Sequence, residues 1–179
     1  YDMLLLRYSS TGALLLEKHV DLGGDELGAS MARSGSSIYV AGSAGSDLLL
    51  VKMAADGTVE FTAPVPNAYA GGIAVGDAVY VAATVGNDAA LLKFDLSGAL
   101  VSTTLYDSGG ADRGNAVAFW DGAVWLGGES SGDLFLRRHS PDGTPESVTI
   151  RDSGLGSDQA LAIAAGARLV VAGGAGARA

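Results

Sequence analysis

The sequence contains no cysteine, two histidines and four prolines in 179 residues. Without cysteine, disulfides and thiolate metal sites are excluded, and two histidines leave few ways to build a serine–histidine–aspartate triad or a histidine metal site. Basic residues are scarce as well, because 11 Lys and Arg stand against 20 Asp and Glu, for a net charge of −9. Nucleic acids and anionic membranes bind clustered basic surfaces, so neither is expected as a partner.

Long apolar runs are also missing, apart from residues 160–177, which read "ALAIAAGARLVVAGGAGA". Arg168 lies near the middle of this run, where a charged side chain costs about 2.5–3.5 kcal/mol in a bilayer. Membrane insertion is therefore not expected. The chain begins with Tyr1 rather than Met, from which we expect a mature form or a piece of a longer protein.

Glycine, by contrast, is abundant at 27 residues, and part of it marks a repeat. An eleven-residue motif combines an acidic first residue, an apolar run, Lys or Arg at the sixth place and Gly at the eleventh. It begins at Asp2, Asp47, Asp88 and Asp133. A second motif recurs between these copies and after the last, as "SSIYVAG", "DAVYVAA", "GAVWLGG" and "ARLVVAG". A period of about 40–45 residues indicates a repeat fold.

Each repeat contains four short apolar segments that predict β-strands, here called a, b, c and d in their order within a sheet. Strand c is apolar on both faces, as at residues 48–53, which is typical of a strand covered on both sides. Strand a, expected at residues 28–33, 71–75, 114–119 and 160–165, is rich in Ala, Gly and Ser. Small side chains fit where sheets converge on an axis, so the pattern predicts an all-β fold, a β-propeller of four-stranded repeats.

The motifs divide a single β-propeller domain, residues 1–179, into repeats 2–46, 47–87, 88–132 and 133–179. The sequence starts at strand c and ends after strand b. We therefore expect the N-terminal strands to close the last blade, because closure removes exposed sheet edges. Two alternatives stay open: a half-ring that pairs with another propeller-half chain, and a fragment of a longer array.

Residues 2–46 and 88–132 resemble the bacterial seven-bladed β-propeller repeat family and its delta-60-type relatives. The shared features are the Asp start, the basic residue before the hairpin, a "GG…D/E…G" linker and a "V/IYVAG" strand. The resemblance implies a secreted or cell-surface bacterial protein with a scaffolding or binding role. The sequence departs from the family by containing four repeats rather than seven.

Carboxylates concentrate in the linkers between strands d and a, at Asp25, Glu26, Asp112 and Asp158. They either accept backbone N–H bonds at the start of strand a or form a ring around the axial mouth that holds Ca²⁺ or a cationic ligand. The second repeat interrupts that ring with Asn67 and Tyr69. Trp120 lies at an a–b turn without an aromatic counterpart, and it serves either for packing or as a platform for a sugar or peptide.

These patterns predict no catalytic residue and no resident cofactor, with Ca²⁺ the one ion considered. The expected function is that of a non-enzymatic extracellular or surface β-propeller, a structural module or a binding module for a protein or glycan. The alternative is a carboxylate-dependent hydrolase or lyase at the axial mouth. That activity requires carboxylates from different linkers to lie within about 5–10 Å of each other.

Overall fold

The computed structural model describes residues 1–176, and every regular element in them is a β-strand. The sixteen strands are β1 (Met3–Tyr8), β2 (Leu14–Val20), β3 (Glu26–Ser34), β4 (Ser37–Ala44), β5 (Asp47–Met53), β6 (Val59–Val65), β7 (Ala68–Val75), β8 (Val79–Val85), β9 (Asp88–Phe94), β10 (Leu100–Tyr106), β11 (Asp112–Trp120), β12 (Ala123–Ser130), β13 (Asp133–His139), β14 (Pro145–Arg151), β15 (Asp158–Ala165) and β16 (Leu169–Ala175). Across the described ranges no helix has the length and hydropathy of a membrane span.

The strands form three complete antiparallel sheets and two half-sheets. The complete sheets are β3–β6, β7–β10 and β11–β14, each hydrogen-bonded in the order a, b, c, d. The half-sheets are β1–β2, which supplies strands c and d, and β15–β16, which supplies strands a and b. The predicted all-β propeller architecture of four-stranded repeats is confirmed. The predicted end of the last repeat, residue 179, lies outside the described residues.

Strand a begins two or three residues earlier than the sequence predicted, and a β-bulge accounts for the difference. The pairing of strands a and b shifts register between Gly28 and Ser30, and between Gly114 and Ala116. The sequence pattern marked the segment from the bulge onward. Residues before the bulge still pair with strand b, so each strand a starts in the linker that carries the carboxylates.

The core lies between sheets and narrows toward the axis. At the axis the inner strands almost touch, since a Cβ added to Gly71 would collide with the carbonyl oxygen of Gly114. These strands surround a cavity of about 400 Å³ lined by small and apolar residues such as Ser30 and Ala116. Farther out, large side chains such as those of Tyr80 and Phe94 fill the widening space and are fully buried. The predicted placement of small residues on the axis is confirmed.

The expected closure of the last blade by the N-terminal strands is wrong for this structure. Strand β1 pairs with β2 and strand β16 with β15, and the two pairs belong to separate sheets. The physical reason is that each half-sheet packs against a different complete sheet. Strand β1 shares a core with β5, with Met3 and Leu5 against Leu49 and Val51. Strand β15 instead packs against β11, β12 and β13, at the other end of the array of sheets.

Candidate functional site

The d-to-a linkers and the b-to-c turns meet on one face of the molecule, which we call the acidic face. Backbone hydrogen bonds join the two kinds of segment. Asp112 N donates to Asn87 O at 2.7 Å, across two neighbouring sheets. Ser131 N donates to Ala111 O at 2.9 Å, within one sheet. Glu26 N and Asp158 N donate to backbone oxygens in the same way, so the start of strand a is fixed to the neighbouring sheet in three of the four repeats.

The carboxylates on this face form separate clusters at these meeting points, which we call junctions. Each junction combines the first residue of strand c, the residue after strand d and the first residue of the next strand a. Three junctions bring together three carboxylates whose oxygens lie within 4.8 Å of one another: Asp2, Asp21 and Glu26 in the first, Asp88, Asp107 and Asp112 in the third, and Asp133, Asp152 and Asp158 in the fourth. The second junction has Pro66 and Ala68 in place of two carboxylates.

In the third and fourth junctions the buried carboxylate is fully bonded within the protein. Asp112 accepts the backbone N–H of Ser108 at 2.7 Å and the Ser108 hydroxyl at 2.8 Å. Asp158 accepts the same pair of groups from Ser153. Both aspartates are almost completely buried. Of the two roles considered for these residues, the structure shows the acceptance of backbone N–H bonds at the start of strand a.

The first junction differs from the third and fourth at two positions. Leu22 stands where they have serine, and Glu26 stands where they have aspartate. Glu26 is only 1% exposed, and its Oε2 has no hydrogen-bond partner among the described residues. Asp25, the other carboxylate predicted here, is exposed and pairs with the ammonium group of Tyr1. A buried carboxylate oxygen without a partner is costly, so this junction lacks the internal bonding of the other two.

The second residue of each strand a follows the first residue on the acidic face, and at this position the four repeats differ. The four residues are Leu27, Tyr69, Arg113 and Gln159. Tyr69 and Arg113 line a cleft of about 290 Å³ together with Thr84, Asn87 and Asp112. Within residues 1–176 the Arg113 guanidinium makes no salt bridge. An exposed arginine without a counter-ion, on a strongly acidic protein, is a ready binding group for an oxyanion or carboxylate.

Glu129 lies directly opposite Arg113 in the pairing of β11 with β12. Its Oε1 accepts the hydroxyl of Ser157 at 3.0 Å, which fixes the carboxylate against the linker of the next sheet. The sequence patterns did not select Glu129, Tyr69 or Arg113 as binding residues. The signal that was available is the aligned position at which the repeats disagree, because a residue that builds the scaffold recurs in every copy.

Trp120 lies at the other end of β11, away from the acidic face. Its indole N–H donates to Gly166 O at 2.8 Å, and its ring packs at 6.3 Å from that of Trp125. The bond to Gly166 O ties the last complete sheet to the half-sheet of β15 and β16. Trp120 therefore lies at the opposite end of its strand from the linker carboxylates.

The two histidines do not come together. His19 is exposed and lies 3.6 Å from Glu17, whereas His139 is fully buried at the position taken by Met53 and Phe94 in other repeats. Nδ1 of His139 donates to Gly143 O at 3.1 Å. Burial lowers the pKa of His139 below its ordinary value of 6.5. His139 therefore serves as a packing residue of the core.

Comparison with known proteins shows the fold class. The sequence matches no protein-family model and no curated protein. Among solved structures, a catalytically inactive histidine-to-alanine variant of Staphylococcus aureus virginiamycin B lyase, bound to quinupristin, has a TM-score of 0.69 at 17% identity, over 94% of this chain and 55% of the lyase. Myxococcus xanthus glutaminyl cyclase has a TM-score of 0.57 at 12% identity, over 96% and 67%. The WD40 domain of Neurospora crassa Pan2 has a TM-score of 0.65 at 12% identity, over 89% and 49%.

Two results follow from these similarities. The chain has a propeller-type fold and spans about half to two thirds of the length of the proteins that it matches. The prediction that it is not an enzyme is corrected, because proteins of the same fold include a lyase and a cyclase. These identities, below 20%, establish the fold and carry no residue assignment.

Proposed function

We propose that the protein belongs to a propeller enzyme, a hydrolase or lyase that uses carboxylate chemistry at the axial mouth. The observation that carries this proposal is the cleft in which Tyr69 and Arg113 lie together, with Glu129 opposite Arg113. These residues occupy unrepeated positions on a face otherwise built from repeated ones. Carboxylates of different linkers stay in separate junctions, so the site depends on Glu129 and not on a ring of aspartates.

Tyr69 and Arg113 in the cleft, with Glu129 on the neighbouring strand β12, suit general base catalysis on a carbonyl or ester substrate. Glu129 is a partly buried carboxylate held by Ser157, and it takes a proton from the substrate or from an attacking water. Arg113 binds the oxygen on which negative charge develops, and the Tyr69 hydroxyl donates a second hydrogen bond. The surrounding acidic face attracts the cationic parts of the same substrate. A peptide-like molecule with an amine and a carbonyl group meets both demands.

Two substrates test this proposal: a cyclic depsipeptide such as quinupristin and a peptide with N-terminal glutamine. Glu129→Gln is expected to reduce kcat by about 10²–10⁴-fold, the usual contribution of a general base. Arg113→Ala is expected to reduce it by about 10²–10³-fold. Arg33→Ala is the matched control, because Arg33 is an exposed arginine at the opposite end of strand a, where it donates to Gly35 O. Turnover that survives both cleft substitutions would place the chemistry elsewhere.

The partner we propose is a second copy of the chain, which pairs with the free edges of β1 and β16. One face of β1 is exposed where its counterparts are buried. The exposed fractions are 50% for Leu4, 40% for Leu6 and 55% for Tyr8, against 3% for Leu49, 0% for Val51 and 0% for Met53. The half-sheet of β1 and β2 lacks strands a and b, and the half-sheet of β15 and β16 at the other end of the chain consists of those two strands. Two copies related by a two-fold axis then form one ring of eight blades, within the range of known propellers.

The repeat fixes the register of this pairing. Strands b and c pair Val40 with Val51 in one sheet and Val81 with Leu92 in the next. The corresponding pair between copies is Val171 with Leu6. Facing Cα atoms in antiparallel strands are about 4.5–5.5 Å apart, a distance that a disulfide spans.

Because the chain has no cysteine, single-cysteine variants report on this pairing directly. A mixture of Leu6→Cys and Val171→Cys chains is expected to give a disulfide-linked dimer, since neither variant can bridge within itself. A mixture of Leu5→Cys and Val171→Cys is the off-register control. Closure within one chain would instead give a bridged monomer from the double variant Leu6→Cys/Val171→Cys, and no cross-linked mixture.

We further propose that the protein works outside the cell and belongs to the bacterial repeat family that its sequence resembles. The support is the Asp-start motif and the "V/IYVAG" strand, which recur in the repeats. Release into the medium of the protein expressed from its genomic reading frame would test this placement.

A further inference from the structure

We propose that the first junction is a calcium site formed by Asp2, Asp21 and Glu26. The three carboxylates place oxygens within 4.8 Å of one another, and Glu26 is the buried member of the group. This inference stands apart from the catalytic proposal, because the first junction is not part of the cleft of Tyr69 and Arg113.

Comparison of the junctions within the chain carries the argument. In the third junction a serine hydroxyl and a serine N–H satisfy both oxygens of Asp112. In the first junction the serine is replaced by Leu22, and the Oε2 of Glu26 has no donor among residues 1–176. The substitutions therefore remove the internal partner and extend the carboxylate by one methylene. A bound cation restores what the serine supplies elsewhere, which is positive charge density at a buried carboxylate.

Ca²⁺ is the ion that suits this junction. It takes oxygens at about 2.3–2.6 Å in flexible geometry, so one ion can contact three oxygens that all lie within 4.8 Å of one another. Mg²⁺ requires near-ideal octahedral geometry and gives up its waters reluctantly, so we expect it to bind more weakly here. Asp21 is already oriented, because its Oδ1 accepts the N–H of Gly23 at 2.8 Å.

Two of the three ligands are exposed, so water completes the coordination and the affinity is modest. We expect a dissociation constant of about 10⁻⁴–10⁻³ M, as in extracellular calcium modules. Calcium titration by calorimetry, with thermal unfolding recorded with and without the ion, measures this directly. The wild-type protein is expected to bind Ca²⁺ saturably, with a higher melting temperature in its presence and at least tenfold weaker binding of Mg²⁺.

Variants of the chain locate the site. Glu26→Gln is expected to weaken Ca²⁺ binding at least tenfold. The double variant Leu22→Ser/Glu26→Asp gives the first junction the residues of the third and fourth, and it is expected to unfold at a higher temperature without calcium and to lose the calcium-dependent shift. Asp152→Ala, in the fourth junction, is the control that leaves calcium binding unchanged.

Each possible result decides for or against the site. Absence of saturable binding by the wild type up to about 10 mM Ca²⁺ would overturn the proposal, since extracellular modules bind well below that concentration. Binding that both first-junction variants retain would place the ion elsewhere and also overturn it. Folding of the variants is checked by their circular dichroism, and the Leu22→Ser/Glu26→Asp variant decides the question if Glu26→Gln fails to fold.

Discussion

Replacement of the buried His139 by phenylalanine is expected to stabilise the protein and to change its dependence on pH. The site accepts the larger ring, because Phe94 occupies the same place in the preceding repeat and is 1% exposed. A carbonyl oxygen only accepts hydrogen bonds, so Nδ1 of His139 carries the proton that goes to Gly143 O. Nε2 is then unprotonated, buried and without a partner in the described part of the chain.

The magnitude follows from these contacts. In the wild type the unsatisfied Nε2 atom costs about 1–3 kcal/mol of stability, and His139→Phe removes that cost. The substitution also removes the hydrogen bond to Gly143 O, and this loss offsets about 0.5–1.5 kcal/mol of the gain. Gly143 O keeps a donor, since the hydroxyl of Thr104 lies 3.0 Å away. We therefore expect His139→Phe to raise the free energy of unfolding by about 1 kcal/mol at pH 7.5.

The pH dependence has a definite sign. Burial lowers the pKa of His139 in the folded state below the ordinary value of 6.5. As the pH falls below 6.5, His139 takes up a proton in the unfolded chain but not in the folded chain. The free energy of unfolding of the wild type therefore decreases as the pH falls. Between pH 7.5 and pH 5 the loss amounts to at most about 2 kcal/mol. The advantage of His139→Phe should grow by up to that amount.

Urea unfolding at both pH values measures this advantage, with the wild type and the variant treated in parallel so that the titration of carboxylates cancels. Two results would refute the reasoning. One is a variant that is less stable than the wild type at pH 7.5. The other is a difference between the two proteins that stays constant down to pH 5.

Three further substitutions test the scaffold, each by urea unfolding. Gly128→Ala should cost at least about 2 kcal/mol, because the new Cβ collides with the Arg113 carbonyl oxygen, and an unchanged stability would mean that these strands can separate. Tyr80→Phe should cost about 1 kcal/mol of stability, since it removes the hydroxyl that lies 2.7 Å from Pro141 O. Burial also raises the pKa of Tyr80, so spectroscopic titration of the wild type should show this phenol still protonated beyond pH 10. Asp112→Ala should cost about 2–3 kcal/mol, because it leaves a loop N–H and a hydroxyl without their acceptor, and a loss below about 0.5 kcal/mol would contradict the structural role.

The fold was predictable because its determinants are local and repeated. The glycines that end each hairpin adopt positive φ, for example Gly12 at 84° and Gly98 at 95°. The small residues of strand a predicted the axis, and the apolar faces of strand c predicted burial on both sides. Each of these features depends on a few neighbouring residues and recurs in each repeat.

Ring closure and the site could not be predicted from the sequence, for different reasons. Closure depends on how neighbouring sheets are arranged. Many side-chain contacts together, such as Met3 against Val51, set that arrangement, and no short segment of the sequence encodes it. The grouping of carboxylates by junction required the bulge that moves the start of strand a to Glu26 and Asp112. The cleft at Arg113 joins two repeats, so a search for motifs within one repeat does not find it.

We propose that repeated residues build the scaffold while unrepeated residues at the axial mouth perform the function. The most direct test compares turnover and melting temperature in Arg113→Ala and Lys93→Met. Lys93 is the repeated basic residue, and its Nζ donates to Pro141 O at 2.8 Å. We expect Arg113→Ala to lose turnover by about 10²–10³-fold at an unchanged melting temperature. We expect Lys93→Met to melt at a lower temperature, with kcat preserved below its transition. Full turnover by Arg113→Ala, or loss of turnover by a folded Lys93→Met, would contradict the claim.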